Sequence, residues 1–275
     1  MNYTKQLKYP GLTFILNPDQ KSYSVTKDED FDSYSDIIIP ETYNNLPVTI
    51  IQHHAFNFCQ NLESIKLPNS IVKIEVFAFA FCYSLKHINF PDNLEMIGSM
   101  AFSSCNQLEN VILPKNISCI EDYAFSDCYS LKNVVLPNKT KVLGHHAFSN
   151  CDNIKNIIIP EGFTHIEESA FALCYGLETV SLPETLTHIG KEAFIWCNSL
   201  HTIYLPKSLK VIGDYAFGDC HSIRKVYYGG SKSDKYQMDY GYNGMYGNIY
   251  LERGTWYYES KNPLLNEEKQ SQEIL

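Results

Sequence analysis

The 275-residue sequence has no run of about 18 apolar residues, so no membrane-spanning helix is expected. Positive charge is scarce: 22 Lys and Arg stand against 31 Asp and Glu, a net charge of −9. Nucleic acid needs a clustered Lys/Arg face to meet its phosphates, and a polybasic membrane contact needs the same, so neither partner is expected. No G-x-S-x-G, Walker A or G-x-G-x-x-G sequence is present. No spacing forces carboxylates into a pocket either, so no catalytic residue is assigned and the chain reads as non-enzymatic. Close cysteine pairs of the kind metal sites use are missing, so no metal or other cofactor is expected. The start, Met1 to Pro10, is polar, and the apolar run Leu12 to Leu16 is too short for a signal-peptide core. On that count an intracellular location stays open.

What is present is a repeat. Ala-Phe recurs at Ala55-Phe56, Ala78-Phe79, Ala101-Phe102, Ala124-Phe125, Ala147-Phe148, Ala170-Phe171, Ala193-Phe194 and Ala216-Phe217, always at a step of 23 residues. Each Phe is followed three residues later by a cysteine: Cys59, Cys82, Cys105, Cys128, Cys151, Cys174, Cys197 and Cys220. Prolines 68, 91, 114, 137, 160, 183 and 206 keep the same step. One copy reads Ala101-Phe102-x-x-Cys105-x-x-Leu108-x-x-Val111-x-Leu113-Pro114-x-x-Ile117-x-x-Ile120. A 23-residue period lies in the leucine-rich-repeat range, and each unit buries its apolar edge only by stacking on its neighbours. The expected fold is therefore α/β: a right-handed leucine-rich-repeat solenoid with a parallel, concave, exposed sheet.

Within a coil, Val111-x-Leu113 alternates in and out as a strand does, and the following proline blocks the next ladder donor. Asp122 to Cys128 carries apolar residues at offsets that fit one short α or 3₁₀ turn. A second short strand is expected around Ile117 to Ile120. The cysteines are stacked equivalents with parallel side chains, which suits disulfide geometry poorly, so they read as small buried apolar side chains. Only Cys119 lies off the series.

A solenoid must close its ends. Residues 1–36 read as an N-terminal cap whose Leu12–Leu16 and Tyr23–Val25 form a hairpin around Asn17-Pro18-Asp19-Gln20. Residues 37–228 hold the solenoid. Residues 229–258 read as a tyrosine-rich C-terminal cap, since 227–258 contain nine of the twenty tyrosines together with Trp256. Residues 259–275 read as a polar, frayed tail.

The strand positions that alternate with the core define two outward rows. One contains Asn110, Asn133 and Asn156; the next runs Lys66, Asn89, Ile112, Val135, Ile158, Ser181, Tyr204, Tyr227. Three successive aliphatics beside three asparagines suggest an interaction stripe, which Tyr204 and Tyr227 extend with residue types favoured at interfaces. The other reading is that aliphatics simply favour strands. A third row, Glu63, Lys86, Glu109, Lys132, Lys155, Glu178, His201, Arg224, mostly pairs opposite signs on neighbouring coils and reads as structural. His165 and His188 occupy equivalent positions of adjacent coils, but Val142 and Val211 flank them where further metal ligands would be needed. The pairs His53-His54 and His145-His146 read as solvent-facing.

These motifs resemble the BspA-like, or Treponema-type, leucine-rich repeats. The match rests on the eight Ala-Phe-x-x-Cys units, the Leu-Pro strand ends, and Ile97-Gly98, Ile189-Gly190 and Ile212-Gly213. The entry Ile39-Pro40-x-x-Tyr43-Asn44-x-Leu46-Pro47-Val48-Thr49 and the exit Tyr227-Tyr228-Gly229-Gly230-Ser231 are similar as well, so the resemblance spans about residues 11 to 258. It implies a cell-surface or secreted protein that binds host, matrix or bacterial-surface proteins without catalysis. The asparagine ladder of ordinary leucine-rich repeats is mostly missing: Asn93 and Asn116 keep it, but Ser70, Lys139, Gly162, Thr185 and Ser208 do not. Two other functions stay open. Carbohydrate or cell-wall binding would use the tyrosine-rich cap, where Gly254-Thr255-Trp256-Tyr257-Tyr258 faintly resembles aromatic cell-wall-binding repeats. A structural role would join solenoids end to end.

Overall fold

The computed structural model describes residues 9–29, 33–241 and 247–264. The chain winds into a parallel-strand solenoid of about nine turns with 23-residue coils. Every coil sends the same residues inward, so the core is a set of ladders. The eight phenylalanines from Phe56 to Phe217 are fully buried. Their rings stack coil on coil at centroid spacings of 5.1–5.7 Å, within 10° of parallel. Offset stacking of this kind adds to the area each ring removes from water.

The cysteine ladder is more than a row of small apolar groups. Each thiol from Cys82 onward donates to the phenylalanine carbonyl of the preceding coil, as Cys105 Sγ does to Phe79 O (3.3 Å) and Cys128 Sγ to Phe102 O (3.3 Å). A cysteine fills the volume of a small apolar residue while satisfying a carbonyl lone pair that would otherwise lie dry. All nine cysteines are free. Burial pushes the Cys128 and Cys174 thiols up to about 12, so they stay protonated and inert.

The Ala-Phe segments are not the helical turns expected from their spacing. Between Gly98 and Cys105, the N–H groups of Ala101, Ser103 and Cys105 bond three residues back, to Gly98, Met100 and Phe102. Those of Met100, Phe102 and Ser104 donate instead to Asp122, Ala124 and Ser126 of the next coil. Met100 and Ser104 hold positive φ (54° and 61°), and two such residues recur in every coil. Left-handed residues end any α-helix, at roughly 1–2 kcal/mol each. They also turn alternate N–H groups toward the neighbouring coil, so stacking satisfies them. The helices Lys232–Lys235 and Ile249–Arg253 are short and lie in the C-terminal cap.

Pairing departs from expectation in a second way. The strands that run continuously from end to end are the second ones of each coil, from Lys73–Ile74 through Cys119–Ile120 to Val211–Ile212. Through Leu46–Ile51 they join the hairpin Leu12–Leu16/Tyr23–Lys27 at one end, and they pair with Asp239–Tyr240 at the other. The outward-facing strands divide into three sheets, with breaks after His87–Ile88 and after Asn133–Val135. Both breaks fall where the core changes size. Phe90 takes a leucine position and turns its ring edge-on to Phe102 (5.5 Å). Thr140, buried and bonded to Ile117 O, is followed one coil later by the much larger Phe163, and there the phenylalanine spacing is widest, 5.7 Å. A close-packed interior transmits such volume steps to the backbone.

The ends are closed by side chains as well as strands. Asn248, fully buried, accepts from Phe217 N–H (2.9 Å) and donates to Gly213 O (3.0 Å). Its carboxamide thereby stands in for backbone that a further coil would supply. At the other end Tyr43 stacks on Phe14 (4.2 Å) and meets Tyr23 edge-on (5.0 Å).

Candidate functional site

The strand face carries the residues singled out in the sequence. Asn110–Ile112 and Asn133–Val135 pair in register, which sets Ile112 beside Val135 and Asn110 beside Asn133. Ile112 is 62% exposed and Val135 46%. Ile158 is half-buried and lies across the second break, so the three aliphatics share a face but not one hydrogen-bonded sheet. Asn110, Asn133 and Asn156 are exposed. Their amides already have partners, since Asn133 Nδ2 donates to Asn110 Oδ1 (2.6 Å) and Thr179 Oγ1 to Asn156 Oδ1 (2.6 Å).

Tyr204 is not exposed as strand alternation predicts. It is 2% exposed, and its hydroxyl is bonded to Glu184. Burial, then the adjoining Glu184 carboxylate, pushes its phenol well above the usual range. Tyr227 is half-buried and stacks on Tyr257 of the last strand (5.0 Å, 20°). The reason lies in the tail. Glu259 and Ser260 bond back to Gly230 and Tyr228, and Asn262 Nδ2 donates to Ser181 Oγ (2.7 Å), 81 residues away in sequence. Residues 259–264 are thus not the frayed tail expected; they lie back over the end of the row. The rest of that expected tail, 265–275, lies outside the described residues. Of the residues singled out, Asn110, Ile112, Asn133, Val135 and Asn156 remain exposed and Ile158 half-buried.

The rim beside this stretch carries Lys86–Glu63 (2.7 Å), Lys132–Glu109 (2.9 Å) and Lys155–Glu178 (3.1 Å). Such exposed pairs contribute about 0–1 kcal/mol each; they hold register and leave little unpaired charge for a ligand.

Other candidate residues are engaged in the fold. Trp256 donates from Nε1 to Leu251 O (3.1 Å) and has Lys235 Nζ 3.7 Å over its ring. Tyr258 lies alongside at 6.1 Å, and the half-buried indole packs against the end of the core. His165 and His188 stack at 4.5 Å, and their Nδ1 atoms meet Thr164 and Thr187. Among the described residues no group of three or more His, Cys, Asp or Glu is placed to hold a metal, and no helix is long and apolar enough to cross a membrane. His53, His54 and His145 are exposed, whereas His146 is half-buried, stacked on Tyr123 at 4.5 Å.

Sequence reasoning passed over a second feature, on the turns. The left-handed position two residues after each Phe is taken by Phe58, Phe81, Ser104, Asp127, Asn150, Leu173, Trp196 and Asp219. Bulky residues in that conformation are outliers. An open depression of about 300 Å³ lies among Asp127, His146, Asn150, Leu173, Glu192 and Trp196. The signal available in the sequence was a bulky residue two positions beyond Ala-Phe, but its meaning depends on a φ that only the coil geometry supplies.

The family model for the BspA-type leucine-rich repeat region matches in six copies, over residues 30–153 and 119–238. No curated protein matches. Among solved structures, a leucine-rich repeat protein of T. pallidum superposes with a TM-score of 0.63 at 28% identity, over 69% of this chain and 88% of its own. A leucine-rich repeat protein of Bacteroides ovatus gives 0.43 at 22% identity, over 90% and 98%. The pneumococcal vaccine antigen PcpA gives 0.43 at 19%, over 85% and 78%.

Proposed function

The chain belongs to the BspA-type leucine-rich repeat family, and on that premise we propose that it is a non-catalytic module that takes a protein partner on its strand face. The observation that carries this reading is the open pair Ile112 and Val135, set side by side and bordered by Asn110, Asn133 and Asn156, with half-buried Ile158 continuing it. The same row position holds Lys66, Asn89 and Ser181 in other coils, so the strand does not require an aliphatic there. Exposed apolar stripes with a polar border are what interfaces use. Tyr204 and Tyr227 drop out of the contact set, because one is buried and the other is stacked under the cap. In this reading residues 37–228 are the binding solenoid between the caps 1–36 and 229–258. The partner is a host, matrix or bacterial-surface protein, and the location is the cell surface or the medium, as the family resemblance implies.

The test is Val135→Asp, measured against immobilised extracellular-matrix and bacterial-surface protein preparations. The substitution is on an exposed position, so stability should change by no more than about 0.5 kcal/mol. Binding should fall at least about tenfold, the effect of about 1.4 kcal/mol. Unchanged binding by a folded Val135→Asp protein overturns the placement. The location is checked by proteolysis of intact cells of the source organism, which should remove the protein.

A further inference from the structure

Trp196 breaks two rules at once. It is large and 41% exposed, and it holds φ 62°, a region that bulky side chains avoid. The same coil position carries Ser104, Asp127, Asn150 and Asp219, small or polar residues better suited to left-handed backbone, in half of the coils, and the bulky Phe58, Phe81, Leu173 and Trp196 in the other half. The backbone bond made there, Trp196 N–H to Gly218 O (2.9 Å), is open to any residue but proline. Leu173, one coil earlier, is strained in the same way, with φ 62°. Hydrogen bonds between coils impose this φ in every coil, so the position tolerates a bulky residue but does not require one.

Trp196 and Leu173 border the depression of about 300 Å³ on the turn side of the coils. Its polar wall is Asp127, His146, Asn150 and Glu192. Asn150 is held in place, its Nδ2 donating to Asp127 Oδ1 (2.8 Å) and to Tyr129 OH (3.3 Å). An aromatic ring beside carboxylate, carboxamide and imidazole groups suits a pyranose, which presents a C–H face for stacking and hydroxyls at its edge. Two carboxylates in the wall, in a chain of net charge −9, disfavour an acidic sugar. We propose that this depression is a subsite for one neutral pyranose unit of a glycan, stacked on Trp196. It lies on the turns, not on the strand face, and is independent of the protein-binding reading.

The chain has two tryptophans, so Trp256→Phe leaves Trp196 as the sole indole reporter. Its fluorescence is titrated with methyl β-D-galactopyranoside, methyl β-D-glucopyranoside and N-acetylglucosamine, and with glucuronic acid as the acidic probe. At least one neutral sugar should give a saturable change with a dissociation constant on the order of millimolar, and glucuronic acid none. Asn150→Ala and Glu192→Gln should each weaken that binding by at least about threefold. Trp196→Asn, followed by saturation-transfer NMR, should abolish it and raise Tm, because asparagine relieves the left-handed strain. The proposal is overturned by any of three results: no saturable change with neutral sugars, binding that survives Trp196→Asn, or a fall in Tm showing that the fold itself needs the indole.

Discussion

Replacing Phe125 by alanine tests the ladder that holds the solenoid together. Phe125 is fully buried and lies between Phe102 (5.1 Å, 2° from parallel) and Phe148 (5.2 Å, 8°). Removing a buried phenylalanine costs about 3–5 kcal/mol from lost transfer and from the cavity left behind. Two ring stacks, each adding roughly 0.5–1.5 kcal/mol beyond area, place this site near the upper end. Phe102→Ala/Phe125→Ala should cost less than the sum of the single variants by about one stack, roughly 0.5–1.5 kcal/mol, because their shared contact is lost only once. Phe56 lies three coils away from Phe125, so that pair should add to within about 0.3–0.5 kcal/mol. Urea unfolding followed by far-ultraviolet circular dichroism, with near-ultraviolet tyrosine signal as a second probe of a single transition, gives these numbers. A Phe125→Ala cost below about 2 kcal/mol, or a Phe56 pair coupled as strongly as the adjacent one, would refute the nearest-neighbour account.

The thiols should be closed to solvent: native protein should react with an aromatic disulfide reagent at no more than half-buried Cys119, and the unfolded chain at all nine. Fast reaction of several thiols in the native state would contradict the buried donor ladder. Gly190→Ala should destabilise by about 1–3 kcal/mol, since a Cβ there would meet the Glu167 carbonyl carbon at 2.7 Å and Glu168 N at 2.8 Å of the preceding coil; an unchanged urea midpoint would show that the coils can move apart. Burial holds the His146 and His188 imidazoles below their usual range. The unfolded chain therefore takes up protons first as pH falls, so this contribution to stability is full above about pH 6.5 and declines below it. Tm should drop between pH 7.5 and 5.5, and His146→Asn/His188→Thr should lessen that drop; an equal drop in the double variant would place the cause elsewhere.

The sequence by itself determined the coil. A 23-residue recurrence of Ala-Phe-x-x-Cys and Leu-Pro leaves one way to bury a Phe, a Cys and several aliphatics per repeat, namely stacking. The inward residues could therefore be named before any coordinates, as could the salt-bridged row Glu63, Lys86, Glu109 and Lys132, because in-register stacking makes period and neighbourhood the same thing. What only the tertiary structure decided involves relations between coils that the period does not encode. The thiol of Cys105 meets the carbonyl of Phe79, which turns an apolar ladder into a hydrogen-bonded one. Phe90, Thr140 and Phe163 change the core volume in single coils, and the outward sheet breaks beside them. Alternation along a strand says which way Tyr204 points, but not that Glu184 receives its hydroxyl or that the chain beyond Tyr257 returns to Ser181. The positive φ at Trp196 is likewise invisible in the sequence, because it is imposed by hydrogen bonds that run from one coil to the next.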